Sequence, residues 1–65
     1  MNLVLLDPAD FVADSRVVLQ GRRHVHLREV VRVAPGEPLR VGLVGGKLGT
    51  GTVLAIDEQQ IELTV

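Results

Sequence analysis

The chain has 65 residues, no cysteine, and Phe11 as its only aromatic side chain. This length allows one small domain, and the lack of cysteine excludes a disulfide framework and a thiolate metal site. The formal net charge of −1 argues against a uniformly basic, nucleic-acid-binding surface.

The N-terminal part of the sequence predicts two short strands. Residues 3–6 form the first strand, which Asp7-Pro8 ends. Asp7 then caps a helical turn within residues 8–13, and Phe11 closes one end of the core. Residues 16–20 are rich in β-branched side chains and predict the second strand.

The spacing of apolar side chains after Gly21 predicts a helix over residues 22–33. Its Arg28 and Arg32 are four residues apart and would therefore be neighbours on the helix surface. The buried face of this helix is expected to contain His24, Leu27, Val30 and Val31.

The C-terminal part predicts three more strands. Pro35-Gly36 suits the centre of a type II turn. Residues 39–44 and 47–56 then alternate as strands joined by a two-residue turn at Gly45-Gly46. Gly49 and Gly51 share one face and would allow the strand to bend, as a closing barrel requires. The last strand covers residues 60–65.

Five strands and one helix predict a mainly β fold, a small half-open β-barrel that forms a single domain over residues 1–65. The last strand is apolar up to Val65, with no polar tail. We therefore expect the chain to be a fragment of a longer protein.

The N-terminus carries no sign of export. Residues 1–6 lack a basic start and a small-residue cleavage site. No apolar run approaches the roughly 20 residues that span a bilayer. Together with the lack of cysteine, these features predict a cytoplasmic protein without a membrane partner.

No catalytic or metal-binding motif is present in the sequence. Ser15 is the only serine, and no motif places a base beside it. His24 and His26 are two residues apart, whereas two ligands on one helix face need a spacing of three or four. The glycines of residues 45–51 lack the spacing of a phosphate-binding loop and connect two strands.

The charge is distributed unevenly along the chain. Residues 1–15 carry −3, residues 16–40 carry +4, and residues 41–65 carry −2. A basic centre can form a local anion-binding surface, and the arginine guanidinium is a planar fork suited to phosphate. The alternative is a solvated helix face partly paired with Glu29 and Glu37. The candidate phosphate-binding residues are Arg22, Arg23, His26, Arg28, Arg32 and Arg40.

The same region carries a resemblance to a known family. The run His26-Leu27-x-x-Val30-Val31-Arg32-x-x-Pro35-Gly36-Glu37, followed by Leu39-x-Val41, resembles the N-terminal PUA-like domain of the small-subunit (16S) ribosomal RNA uracil-N3 methyltransferase family. The resemblance covers essentially the whole chain. Two departures are an N-terminal strand without the arginine and aromatic residue common in the family, and a hairpin without an aspartate before its glycine.

The resemblance implies a PUA-like barrel that recognises ribosomal RNA, with His26, Arg32 and Gly36 matching the family pattern and Arg28 beside them. It also implies a C-terminal knotted domain, absent from this chain, that binds S-adenosylmethionine, forms a homodimer and methylates N3 of a uridine. The barrel would contain no catalytic or cofactor-binding residue, and its partners would be small-subunit ribosomal RNA and its own methyltransferase domain. The alternative is a protein-interaction or domain-packing barrel, with Arg32 paired to a carboxylate of its own enzyme.

Overall fold

The computed structural model describes residues 3–65, which form one curled, six-stranded sheet and one short helix. The strand order is β1-β4-β5-β6-β3-β2, antiparallel except for the parallel pair β1 and β4. The mainly β half-barrel is therefore confirmed, with six strands instead of the predicted five. The strands are β1 (Leu3–Leu6), β2 (Phe11–Ala13), β3 (Arg16–Leu19), β4 (Pro38–Leu43), β5 (Leu48–Ile56) and β6 (Ile61–Thr64).

The sheet curls along β5, which pairs with β4 through its first half and with β6 through its second half. The two pairings meet at Thr52, opposite both Pro38 and Thr64. A Cβ on the preceding Gly51 would lie 3.3 Å from the Thr64 carbonyl oxygen. Gly51 therefore lets β6 approach closely, because it has no side chain.

The helical turn predicted within residues 8–13 is shorter than expected. It is a 3-10 turn, Pro8–Asp10, capped by Asp7 as predicted. Phe11 then begins β2, opposite Val17 of β3. Pairing with β3 therefore overrides the local helical preference, while the half-buried Phe11 still packs against the core.

The predicted two-residue turn Gly45-Gly46 is displaced by one residue. The Gly46 N–H donates to the Leu43 carbonyl at 2.9 Å, so Val44 and Gly45 occupy the centre of the turn. Gly45 has a φ of +72°, a conformation that glycine adopts at little cost.

A helix lies between β3 and β4 along the chain and closes one side of the core. It begins as α1 (Arg22–Val25) and continues as a π-helical segment (His26–Val31), and we call the two together the central helix. No helix within residues 3–65 has the length and apolar character needed to cross a membrane. The buried core consists of Val4, Leu6, Val17, Leu19, Leu27, Val33, Leu39, Val41, Val53, Ile61 and Leu63.

Candidate nucleic-acid interface

The π-helical winding decides which side chains of the central helix face solvent. Its hydrogen bonds run from residue i to i+5, so each turn holds more residues than an α-helical turn. Leu27 remains buried and Val31 packs against the core, but Val30 is 69% exposed. The prediction that Val30 faces the core was wrong, because the wider turn rotates it outward onto the side of the exposed Val25.

The helix ends at Val31, two residues earlier than predicted, and its cap residue Arg32 has an unusual backbone conformation. Its φ and ψ are 60° and 48°, and it is the one non-glycine residue with positive φ among residues 3–65. The N–H groups of Arg32 and Val33 both donate to the Leu27 carbonyl, which closes the helix. Glycine is the usual residue at such a left-handed cap, because a side chain there costs about 1–2 kcal/mol.

The Arg32 guanidinium is exposed and has no carboxylate partner within the described part of the chain. A tight turn follows it. The Glu37 N–H donates to the Ala34 carbonyl at 3.1 Å across Pro35-Gly36, and Gly36 has a φ of +89°. The predicted type II turn is therefore present, and the Ala34 N–H also donates to the Glu37 carboxylate at 2.8 Å.

Arg23 is engaged inside the fold. Its Nη1 and Nη2 donate to Oδ2 and Oδ1 of Asp10, both at 2.7 Å, and Nη1 also donates to the Leu5 carbonyl at 2.8 Å. These hydrogen bonds lower the pKa of the Asp10 carboxyl and raise the pKa of Arg23. The bidentate pair fastens the central helix to the segment between β1 and β2. Because both Nη atoms of Arg23 already donate hydrogen bonds within the fold, few of its N–H donors remain for a ligand.

Arg28 lies on another side of the helix. Its Nη2 donates to the Glu29 carboxylate at 3.0 Å, and its Nε is buried without a hydrogen-bond acceptor among the described residues. The pKa of the Asp57 carboxyl in the β5–β6 turn is lowered mainly by hydrogen bonds from the Gln59 and Gln60 N–H groups, and the positive charge of Arg28 has a smaller effect in the same direction. The i, i+4 proximity predicted for Arg28 and Arg32 does not apply in a π-helix that ends in a left-handed residue.

Arg22 and His26 lie together at the edge of the sheet. Both line a hollow of about 380 Å³ between the central helix and β1, whose other lining residues are Leu3, Val4, Leu5, Arg23 and Leu27. Both side chains belong to exposed residues, and neither forms an ion pair within residues 3–65. The hollow therefore has an apolar floor, with the Arg22 guanidinium and the His26 imidazole at its rim.

Arg40 lies on the outer face of the sheet. It is exposed on β4, in register with Leu3 of β1 and Thr50 of β5. Arg40 also makes an interaction within the fold. It is therefore close to the same β1 edge as the hollow, but on the outer surface.

His24 is a structural residue. It is 2% exposed, and its Nε2 lies 2.7 Å from the Asp57 carbonyl oxygen, to which the ring N–H donates. The Asp57 carboxylate in turn accepts the N–H groups of Gln59 and Gln60 at 2.8 and 2.9 Å. Together these bonds hold the central helix against the β5–β6 turn. No group of three metal-ligating side chains is found within residues 3–65.

The six predicted phosphate-binding residues are thus not gathered on one surface. Arg22 and His26 share the β1 edge, and Arg32 stands at the C-terminal end of the helix. Arg23 is paired with Asp10, Arg28 with Glu29, and Arg40 lies on the outer face of the sheet. The sequence reading did not identify Asp10 as the partner of Arg23. The spacing of Asp7 and Asp10 indicates only their capping box in the 3-10 turn, and no local pattern connects Asp10 with Arg23.

Comparisons with known proteins show a similar fold but do not assign the chain to a family. No protein-family model matches the chain, and no curated protein matches it. Among solved structures, the crystal structure of a hypothetical protein is similar over 98% of this chain, with a TM-score of 0.83 and 11% sequence identity. The chain spans 27% of that protein. At this identity the match shows the fold alone.

Proposed function

We propose that this chain is the RNA-recognition barrel of an S-adenosylmethionine-dependent methyltransferase that modifies N3 of a uridine in small-subunit ribosomal RNA. In this proposal the barrel holds phosphates of structured RNA, and a C-terminal knotted domain binds the methyl donor, carries out the transfer and forms a homodimer. The proposal is supported by the resemblance of residues 26–41 to that family and by the behaviour of those residues in the fold.

Arg32 is the observation that carries the proposal. A left-handed residue at the end of a helix is usually glycine, and arginine there costs stability. Among residues 3–65 no carboxylate forms an ion pair with Arg32 that would offset this strain, and the Arg32 side chain is exposed. Strained backbone that nothing in the fold explains is found preferentially at functional sites. An arginine kept there is most simply accounted for by an anionic ligand outside the fold.

The π-helical segment adds to this argument. It covers His26–Val31, which is the start of the run that resembles the methyltransferase family. Such helices occur mostly as short insertions and frequently at functional sites. Here the segment places Arg32 at a helix end and turns Val30 to solvent beside it. The π winding and the family pattern therefore coincide on the same residues.

The phosphates of RNA suit this cation arrangement better than its bases do. Arg22, His26 and Arg32 have no carboxylate partner among the described residues, whereas the one aromatic ring, Phe11, packs against the core. Recognition of unstacked bases relies on exposed aromatic side chains. We therefore assign Arg32, Arg22 and His26 to phosphate contacts, with Arg28 and Arg40 at the margins and Arg23 as the residue that positions the helix.

A salt titration tests this proposal. Fluorescence anisotropy with a labelled fragment of small-subunit ribosomal RNA should show that log affinity falls linearly with log salt. Replacing Arg32 or Arg22 by alanine should lower that slope by about 0.7–0.9 each. Lys47→Ala, which removes one charge from the β4–β5 hairpin, should leave the slope unchanged. An affinity that does not depend on salt would contradict the proposal.

A second candidate is a domain-packing barrel without nucleic-acid contact. Gly42 points to the outer face of the sheet but is buried, because Leu3, Leu5 and Leu48 close over it. Leu5 and Leu48 are 58% and 64% exposed, so the outer face is apolar at this point. In that case Arg32→Ala would disturb association with the enzyme's other domain and leave RNA binding by the isolated barrel unchanged.

A further inference from the structure

The edge of β1 is open on one side. β1 pairs only with β4, and it ends the strand order of the sheet. The Leu6 carbonyl accepts the Val44 N–H on the β4 side, whereas the Leu5 carbonyl accepts Arg23 on the helix side. Because backbone groups alternate in direction along a strand, the N–H and C=O groups of Leu3 and Leu5 point away from β4.

Most of this edge has no backbone partner. Within residues 3–65, Arg23 occupies the Leu5 carbonyl, and no strand covers the Leu5 N–H or the Leu3 carbonyl. One residue of an added strand parallel to β1 could bond to both groups. Its N–H would donate to the Leu3 carbonyl, and its carbonyl would accept the Leu5 N–H. Uncovered edges of this kind are templates for pairing with another chain.

The hollow lies beside the same edge. Val4 and Leu27, both nearly buried, form part of its floor, and Leu3 and Leu5 border it with exposed side chains. The Arg22 guanidinium and the His26 imidazole lie at its rim, without an ion-pair partner in the described part of the chain. Backbone groups, an apolar cavity and a cation therefore stand next to one another. This combination suits an extended peptide that adds to the sheet edge, since main-chain bonds bind it and pockets select its side chains.

We propose that the β1 edge and its hollow bind an extended acidic peptide segment of a partner protein. The segment aligns parallel to β1, bonds to the Leu3 carbonyl and the Leu5 N–H, places one apolar side chain in the hollow, and sets a carboxylate on Arg22. This site is separate from the Arg32 end of the helix. It shares Arg22 and His26 with the proposed phosphate contacts, so a peptide and RNA would compete for these two side chains.

Charge decides between this occupant and a second copy of the chain. Pairing β1 with β1 of another copy would bring two positively charged Arg22 guanidinium groups to one interface. Antiparallel pairing at Leu5 would also need its carbonyl, which Arg23 occupies at 2.8 Å. A single-stranded nucleic acid fits less well, because no Phe, Tyr or Trp side chain lines the hollow to stack a base. An acidic peptide satisfies both the backbone groups and the Arg22 guanidinium.

NMR titration of the ¹⁵N-labelled chain tests this proposal. The probe is acetyl-Asp-Val-Glu-Val-Asp-amide, with acetyl-Lys-Val-Lys-Val-Lys-amide as the charge-reversed probe and the N-methylated acidic peptide as a probe without amide donors. We expect the acidic peptide to shift the amide resonances of Leu3 and Leu5 and those of Arg22 and His26. The lysine and N-methylated peptides should bind at least tenfold more weakly.

Protein variants separate a specific site from general attraction. Arg22→Glu should weaken binding of the acidic peptide at least tenfold and make the lysine peptide the better ligand. Lys47→Glu makes the same change in net charge at an exposed hairpin and should leave peptide binding unchanged. Both side chains are exposed, and an unchanged amide spectrum away from the substitution verifies that each variant is folded.

Several results would overturn the proposal. These are equal affinity for the acidic and lysine peptides, equal affinity for the N-methylated peptide, no shift at millimolar peptide, or shifts confined to residues away from β1. A uridine oligonucleotide that shifts Leu3 and Leu5 more strongly than the peptide does would assign the edge to nucleic acid instead. Loss of RNA binding in Arg32 variants would leave all of these outcomes unaffected.

Discussion

The Arg23 guanidinium and the Asp10 carboxylate lie face to face, joined by two hydrogen bonds of 2.7 Å. The same Asp10 Oδ2 accepts the Asp7 N–H at 2.7 Å, and Arg23 Nη1 also reaches the Leu5 carbonyl. One ion pair therefore joins the central helix, the 3-10 turn and β1. Fixing the helix in this way sets the position of Arg22, the preceding residue, at the rim of the hollow.

Removing this pair should destabilise the fold more than removing an ordinary surface pair. The Asp10 side chain is 12% exposed and the Arg23 side chain 41%. We expect Arg23→Ala to lower the free energy of unfolding by about 1–2 kcal/mol, which shifts Tm by roughly 4–8 °C per kcal/mol in a domain this small. The control is Glu62→Gln, which breaks the more exposed Arg16–Glu62 pair and should cost under about 1 kcal/mol. Equal losses in thermal denaturation would contradict this assignment.

The pH dependence of stability should report the same pair. Hydrogen bonds from Arg23 hold the pKa of folded Asp10 below its usual value of 3.8. The folded state therefore binds the proton less readily than the unfolded state, and the stabilisation is fully present above about pH 5. It should decrease as the pH falls through the folded pKa of Asp10. The measurement is urea unfolding of the wild type and of Asp10→Asn at several pH values. The difference between their free energies of unfolding should be constant near neutrality and should decrease below about pH 4.

The two glycines on the inner face of β5 should respond differently to alanine. At Gly51 a Cβ would meet the Thr64 carbonyl oxygen at 3.3 Å and a Val41 methyl at 3.4 Å. Gly51→Ala should therefore separate β5 from β6 and cost about 1–3 kcal/mol. At Gly49 the nearest atom is a Val41 methyl at 3.8 Å, so Gly49→Ala should be neutral or slightly stabilising. The measurement is chemical denaturation of both variants, and a larger loss at Gly49 would refute the close-approach explanation.

Arg32→Gly should make the fold more stable. Glycine adopts the observed φ of 60° without the steric cost that arginine carries. We expect the free energy of unfolding to rise by about 0.5–1 kcal/mol. This is less than the full steric cost of the left-handed conformation, because glycine also has greater freedom in the unfolded chain. Arg32→Ala keeps the left-handed strain and serves as the control without a gain. A destabilised Arg32→Gly protein would mean that the arginine side chain supports the fold.

Local patterns in the sequence predicted much of the fold. Residues 3–6 were assigned to the first strand with the observed limits, and Pro35-Gly36 forms its turn because proline and glycine fix the backbone dihedrals directly. Alternation predicts one buried face with Leu39, Val41 and Leu43 and another with Ile61, Leu63 and Val65. Leu39, Val41, Ile61 and Leu63 are buried, whereas Leu43 and Val65 are 40% and 38% exposed. These features depend on neighbours along the chain and are therefore readable from it.

Other features depend on contacts between distant residues and were not readable. β2 exists because Phe11 pairs with β3, and Val30 is exposed because the helix winds with i to i+5 bonds. Arg23 was grouped with the other arginines, since nothing in the local sequence indicates that Asp10 lies against it. Helical periodicity assumes 3.6 residues per turn, and the π-helical segment does not follow it.

The most direct test of the proposed function compares RNA affinity and stability in one variant, Arg32→Gly. With a labelled small-subunit ribosomal RNA fragment at fixed, low salt, we expect binding to be at least tenfold weaker than that of the wild type, corresponding to about 1.5 kcal/mol for one charge-assisted phosphate contact. The same sample should unfold at a higher temperature than the wild type. Wild-type RNA affinity in this variant would contradict the proposal that Arg32 is kept to bind RNA.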